Sequence, residues 1–415
     1  MLKILINAYA CSPEMGSEPG MGWNWCVNLA KYCTLHIITE GEFRDKIEAV
    51  MADLPQASNM HFYYNPVSAR VRSMCWNQGD WRFYRHYRIW QEKTAEIARE
   101  ICKKEHIDIL HQLNMIGFRE PGYLWQVSRE TGIPFVWGPV DAKESFPMAY
   151  ADGASWKTKL FLNLKNAITK YQLKYGRRVH EAAATASLVL SASSNSVNSF
   201  KKYFGIDSPL MNETGTYPIS NKVSVLQEKN TFDIIWVGKA DFRKQLGLAL
   251  KSVAYAHCHD LRLHIVGGGN MEYYRNEASE SGIADFCVFH GSVSHDEVLD
   301  LMCHSDLFLF TSVAEGTSTV IMEALQTGLP VLCFDTCGMS SVVTKEVGYK
   351  IPLSTPAQSA HDFADKIKYL YHHRGELKRL SDNCPKVAMQ MSWDNKALTL
   401  SQAYLRLIAN TQYKS

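Results

Sequence analysis

Short apolar runs rich in β-branched and aromatic residues alternate along this chain with longer stretches whose apolar positions recur every three or four residues. That alternation is the pattern of parallel α/β architecture. In the first half the spacing predicts strands at Lys3–Ala10, Thr34–Thr39, His61–Val67, Asp108–Leu113, Pro134–Val140 and Ser187–Ser193. In the second half it predicts them at Phe232–Val237, Arg262–Val266, Cys287–His290, Leu307–Phe310, Pro330–Phe334 and Tyr349–Ile351. Near-continuous apolar runs such as Phe232-Asp-Ile-Ile-Trp-Val suit strands covered on both faces. Two such sets, each with its own helices, give two doubly wound units. The polar segment around Gly215 and Pro218 breaks the rhythm and marks a linker at 213–230. The units then span 1–212 and 231–392, and helical spacing resumes from Trp393 to the end at 415. A ligand is expected in the cleft between the units, at the C-terminal ends of the strands.

Composition adds exclusions. The chain has 415 residues, 46% of them apolar and 21% charged, and a net charge of +2. Two domains are the default at that length, and nothing suggests disorder or a global affinity for polyanions. The average conceals an asymmetry: 25 basic and 20 acidic residues in 1–212, against 19 and 22 beyond. Eleven cysteines are scattered without a C-x-x-C pair, and Cys333 with Cys337 is the nearest approach to a metal pattern. Reduced structural thiols in a cytoplasmic protein are the expectation. Met1-Leu-Lys-Ile-Leu-Ile-Asn reads as the start of a first strand rather than a signal peptide, and no transmembrane run is expected.

Four segments carry candidate chemistry. In Thr311-Ser-Val-Ala-Glu-Gly-Thr-Ser-Thr-Val-Ile-Met-Glu, a strand leads into a helix predicted from Thr317 to Gly328. The loop Glu315-Gly-Thr-Ser would aim free N–H groups and a positive dipole end at the cleft, an arrangement suited to phosphate. Glu315 and Glu323, eight residues apart, are expected near one helix face, where they could bind sugar hydroxyls. The alternative is a cap and a solvated helix residue. Lys239, Arg243 and Lys244 crowd the turn after Gly238, where cations could neutralise a diphosphate or simply face solvent. Gly16, in the turn Ser12-Pro-Glu-Met-Gly-Ser-Glu, would let backbone approach a ligand or serve only the turn. Val266-Gly-Gly-Gly follows a strand but lacks the G-x-G-x-x-G spacing, so it supports a nicotinamide cofactor only weakly. His111, near the end of its strand, is expected on the cleft side.

With these residues in view, the chain resembles the retaining nucleotide-sugar glycosyltransferases of family 4, which have the GT-B fold of two facing Rossmann-like domains. Glu315 and Glu323 match that family's glutamates with seven residues between them, and Gly238-Lys-Ala-Asp-Phe-Arg-Lys is similar to its G-R-x4-K element. Pro13-Glu-Met-Gly-Ser resembles its P-x-x-G-G turn, and Ser392-Trp-Asp with the last helix, 393–415, resembles its segment crossing back onto the N-terminal domain. The resemblance implies an acceptor-side domain at 1–212 and a donor-binding domain at 231–392. It implies Lys239 and Lys244 on the donor diphosphate, Glu323 on the ribose, and Glu315 on the transferred hexose. It also implies backbone N–H groups from Gly316, Thr317 and Ser318, close approach at Gly16, and His111 at the sugar or its acceptor. Neither a catalytic metal nor a cofactor is expected, because the UDP- or GDP-sugar is a substrate. Three positions depart from the pattern: Thr317-Ser318 for the usual Phe-Gly, Lys239 for Arg, and Ser17 for a second glycine.

Two basic-aromatic runs lie in the first half, Trp156–His180 with seven basic residues and no acidic one, and Arg70–Trp90. They suit an anionic inner membrane surface where a glycan or lipid-linked acceptor is met, or else a solvated face packed on the core. No nucleic-acid motif accompanies them. The expected function is hexose transfer in surface polysaccharide biosynthesis by a cytoplasmic protein peripheral to the plasma membrane. A lapsed GT-B partner subunit and a GT-B epimerase are the competing readings.

Overall fold

The structure, a computed structural model, describes residues 1–77, 80–143, 145–217 and 230–412. The expected linker 213–230 lies outside the described residues except for 213–217 and 230. Twelve strands occur where the apolar runs predict them: β1 Lys3–Ala8, β2 Thr34–Thr39, β3 Met60–Tyr64, β4 Ile109–Asn114, β5 Phe135–Val140 and β6 Leu188–Ser191 in one sheet. The other sheet holds β7 Phe232–Val237, β8 Leu261–Val266, β9 Cys287–Gly291, β10 Leu307–Phe310, β11 Val331–Phe334 and β12 Gly348–Ile351. Both sheets are wholly parallel, in the orders β3-β2-β1-β4-β5-β6 and β12-β11-β10-β7-β8-β9. Each is the doubly wound Rossmann order, with its switch point between the first and fourth strands. The central strands β1, β4, β5, β7, β10 and β11 are buried along almost their whole length, which is why they read as unbroken apolar runs.

The helices that bear on the site are α1 Ser17–Leu29, α2 Phe83–Lys104, α3 Trp156–Tyr175, α4 Arg177–Thr185, α5 Leu246–Ala256, α6 Thr319–Gln326, α7 Pro356–His372, α8 Arg374–Gln390 and α9 Trp393–Gln412. α1 is buried along most of its length, from Pro19 to Leu29, rather than on one face. The reason is α9, which follows the second unit in sequence but joins the first unit's core through Trp393, Ala397, Leu400 and Tyr404. The Trp25 and Trp393 rings meet edge-on at 5.6 Å. Tyr404 Oη lies 2.6 Å from His111 Nδ1 inside that core. The return path is fixed by Thr216, whose N–H donates to Met391 O (3.1 Å) and whose carbonyl accepts from Trp393 N (2.9 Å).

None of the eleven cysteines forms a disulfide, and Cys333 lies inside the second unit's core rather than at a surface. Docking of α9 is testable by urea unfolding. Leu400→Ala should cost about 2–5 kcal/mol. Tyr404→Phe, which strands a buried ring nitrogen, should cost about 1–3 kcal/mol. Losses under about 1 kcal/mol for both would mean a loosely held helix.

Candidate active site

The apolar strand β10 ends at Phe310, and the chain turns through residues 311–318 before α6 begins. Ser318 is the extended residue before the helix (φ −70°, ψ 128°), so α6 starts two residues later than the composition suggests. The physical cause lies outside the segment. Glu213, from the chain joining the two units, accepts the Thr317 N–H at Oε1 (2.5 Å) and the Thr317 hydroxyl at Oε2 (3.0 Å). An anion does sit at this helix entrance, as expected of such a site, but it is the protein's own carboxylate. Gly316 has no room for a side chain because Glu213 Oε1 occupies the space. Asn212 Nδ2 reaches Thr317 Oγ1 (3.0 Å) and Ser341 Oγ (2.9 Å), reinforcing the same tie.

Because Glu315 precedes the helix, the eight-residue interval to Glu323 is not helical throughout, and the two do not share a helix face. Glu315 Oε1 pairs with Lys244 Nζ at 2.8 Å and accepts from Ser312 Oγ at 3.0 Å. Lys244 also lies over the Phe310 ring, 5.0 Å from its centroid. Both side chains are mostly buried, with 15% and 21% exposure. Glu323, inside α6, instead faces His295 Nε2 at 3.5 Å, and burial raises its pKa. Lys239 is exposed, while Arg243 is held by Asp241 at 2.6 Å.

A cavity of about 530 Å³ opens between the start of α1 and α6. Gly16, Gly316, Thr317 and Glu323 line it together, with Ser17 and Glu18 opposite. Its wall does not include Glu315, Lys244, Lys239 or Ser318. The expected residues therefore fall into two adjoining groups, a cavity group and the Lys244–Glu315 pair. A Cβ at Gly16 would meet nothing, and its φ is −85°; the left-handed residues of that turn are Glu14 (φ 59°) and Ser17 (φ 56°). Close approach of a ligand at Gly16 is thus geometrically open, whereas the turn does not itself require glycine there.

His111 is a correction. It sits in the interior of β4, fully buried, with Nε2 2.5 Å from Gly138 O and Nδ1 bonded to Tyr404. Burial lowers its pKa to about 4. Both ring nitrogens are occupied by protein partners, and α9 covers the face expected to meet the cleft. The second basic-aromatic run is corrected in part. Phe83, Tyr87 and Trp90 are core residues packed around Tyr9, and Arg72, Arg82 and Arg88 pair with Glu40, Asp80 and Glu120.

Three functional candidates escape sequence reasoning. Glu213 lies in a stretch read only as linker, and nothing local pairs it with Thr317. Glu18, at the cavity wall, accepts Ile116 N (3.1 Å); burial, with Glu213 adding to it, raises its pKa to about 7. Burial likewise raises Glu213. Lys396 of α9 is half-buried, donates to Asn212 O, and has its pKa lowered to about 8 by desolvation, against the opposing pull of Glu213. A Glu in a Gly-rich turn is the one signal the sequence offered for Glu18.

Residues 220–387 match the family described as Glycosyl transferases group 1. The chain is 26% identical over 191 residues to a D-inositol 3-phosphate glycosyltransferase of Rhodococcus jostii, covering 43% of this chain and 41% of that protein. It is 30% identical over 186 residues to a putative teichuronic acid biosynthesis glycosyltransferase, TuaC, of Bacillus subtilis, covering 40% and 42%. It thus spans less than half the length of these curated relatives. The lipopolysaccharide outer core galactosyltransferase WaaB superposes with a TM-score of 0.62 at 15% identity, covering 96% of this chain and 99% of WaaB. Anabaena Alr3699/HepE in complex with UDP superposes at 0.60 with 16% identity, covering 97% and 99%. The fold is GT-B, and the second unit carries the group 1 glycosyltransferase match.

Glu18 makes the acid side testable. A carboxyl raised from 4.5 to about 7 keeps a proton that the unfolded chain releases, so its contribution to stability falls as pH rises between those values. Glu18→Gln should flatten the fall of Tm between those pH values; an unchanged profile would remove Glu18 as its source.

Proposed function

We propose that the protein is a retaining, metal-independent glycosyltransferase that moves a hexose from a nucleotide-diphosphate sugar to a glycan or lipid-linked acceptor in surface polysaccharide biosynthesis. The observation that carries this reading is the Lys244–Glu315 pair, 2.8 Å apart at adjoining strand ends and beside the first amides of α6. A diphosphate brings roughly two negative charges. It competes with Glu315 for Lys244, and the freed carboxylate can then accept hydroxyl hydrogen bonds from the hexose. Lys239, exposed at the next turn, adds a second cation, and the N-terminal dipole of α6 adds to both. These charges suit departure of a nucleoside diphosphate. Glu323, whose pKa burial raises and which lines the cavity, suits the ribose hydroxyls. Gly16 provides unobstructed backbone on the facing unit. His111 has no contact role in this reading.

The group 1 match over the second unit supports transfer, and the UDP complex of HepE supports a nucleotide-sugar donor. The names of TuaC and WaaB support polysaccharide or lipopolysaccharide biosynthesis. A lapsed partner subunit fits poorly with a preserved Lys244–Glu315 pair. An epimerase gains half-buried Glu18 and buried Glu213 as an acid/base set. Solvent deuterium entering the sugar without release of nucleoside diphosphate would select it.

Helix α3 supports a reading of peripheral contact with an anionic membrane on the cytoplasmic face. Trp156, Leu160, Phe161 and Tyr171 are 71%, 63%, 61% and 65% exposed, and Leu164, Ile168 and Tyr175 extend the stripe. Lysines flank it, and an apolar stripe among cations is matched by anionic lipid. No helix among the described residues is long and apolar enough to cross a membrane. Of the second run, Trp76 and Trp81 remain exposed.

Two measurements test these readings. Lys244→Ala and Glu315→Ala should each lower turnover of UDP- or GDP-sugars by about 100-fold or more, and effects within a few-fold would remove the pair from the mechanism. Phe161→Asp with Leu164→Asp should abolish sedimentation with phosphatidylglycerol vesicles at low salt; retained binding would leave α3 a solvated face.

A further inference from the structure

The cleft-side residues of α3 differ in kind from its exposed stripe. Arg119, just beyond β4, donates to Gln172 Oε1 (2.8 Å) and to Thr169 Oγ1 of that helix. Thr169 lies one turn from Lys165 and donates its hydroxyl to the Lys165 carbonyl (2.6 Å). Lys143, just beyond β5, spans the cleft, with Nζ 3.3 Å from Val313 O and 2.9 Å from Cys337 Sγ. Phe146 is tied to α3 through Asn166, N–H to Oδ1 at 2.8 Å and carbonyl to Nδ2 at 2.9 Å. Its ring meets that of Phe242, 5.5 Å between centroids, one residue before Arg243. Arg119, Lys143, Lys165 and Arg243 therefore converge where the first unit's strand ends, α3 and the basic turn of the second unit meet.

Among the described residues, carboxylates do not balance them. Arg243 is paired with Asp241. Asp141, half-buried and bonded to Ser196 Oγ (3.1 Å), faces Lys143 and Arg119, and desolvation raises its pKa. Glu315, which also acts on Arg243, is taken by Lys244. Lys165 has no acidic partner among the described residues, and desolvation, with the charges of Arg119, Arg243 and Lys143 adding to it, holds its ammonium below the usual range. Gathering cations at one cleft is unfavourable in the empty protein and favourable once an anion enters, because the same walls that focus the field exclude water.

We propose that Arg119, Lys143 and Lys165, completed by Arg243, bind a phosphate or diphosphate group carried by the acceptor. The proposal rests on the transferase reading and adds the acceptor's chemical class. Three of the four cations belong to the unit facing the donor side. Lys143 touches Val313, two residues before Glu315, so an anion held there lies beside the reacting end of the cleft. Lys165 shares its helix with the Leu160, Leu164 and Ile168 stripe, so the phosphate can belong to an amphiphile or to a soluble ester.

Calorimetric titration with inorganic pyrophosphate, UDP being present throughout, tests the cluster. Phosphatidylcholine vesicles with and without phosphatidic acid test a lipid-borne phosphate. Lys165→Glu and Lys143→Gln should each weaken pyrophosphate binding at least about tenfold, whereas Lys170→Glu, elsewhere on α3, should change it less than about twofold. If the added affinity for phosphatidic acid falls with the same two variants, the source is lipid-borne; if only pyrophosphate binding falls, it is a soluble phosphate ester. Equal loss in Lys165→Glu and Lys170→Glu, or no loss in either, overturns the proposal. The titration needs no turnover, so a wild-type protein inert toward every nucleotide sugar would refute the transferase reading and leave the cluster to be judged by binding.

Discussion

The N–H of Thr317 needs an acceptor, and this fold supplies Glu213. Much of the cleft follows from that one bond. It draws residues 212–216 across the entrance of α6, where the Trp25 indole donates to the Glu213 carbonyl (3.0 Å) and Asn212 reaches both units. Lys396 lies half-buried beside it, which offsets part of the cost of enclosing a carboxylate. The same bond delays the start of α6, leaves Glu315 outside the helix, and frees it to meet Lys244. A ligand oxygen that takes the Thr317 N–H has to displace a group already desolvated there, so the entrance is an exchange of one anion for another rather than the filling of an empty cradle.

Charge is distributed by unit and by depth. Near-neutrality of the whole chain results from a basic first unit and a slightly acidic second one. Within the first unit, several arginines of the 70–90 run are neutralised by Glu40, Asp80 and Glu120, whereas lysines of α3 largely are not. Unneutralised positive charge thus concentrates on one helix, with an apolar stripe outward and a cation cluster toward the cleft.

The architecture was legible because strands buried on both faces leave unbroken apolar runs, and twelve of these appear in sequence as in the fold. The cation turn and the Glu315 loop were legible because strand ends in a doubly wound sheet converge on the cleft by topology alone. What failed needed information from far along the chain. His111 was assigned by its place in a strand, but whether that place faces a cleft or a core is decided by Tyr404. Glu213 resembled a linker residue because its partner lies beyond a whole sheet crossing. Trp90 looked like a surface aromatic because arginines crowd its run, and Tyr9, which it meets edge-on, comes from just beyond β1.

α9 has a consequence for how the molecule is made. His111 waits for a hydroxyl 293 positions downstream. At ordinary rates of synthesis that is a delay of about 15 to 60 s. Throughout it, the groove above α1 and β4 stands open with Trp25 exposed, while the second unit can complete its own core as it emerges. The order of translation and the order of completion are therefore reversed: the unit begun first is closed last, and nascent chains stalled before residue 393 would present a finished second unit beside an unsealed first one.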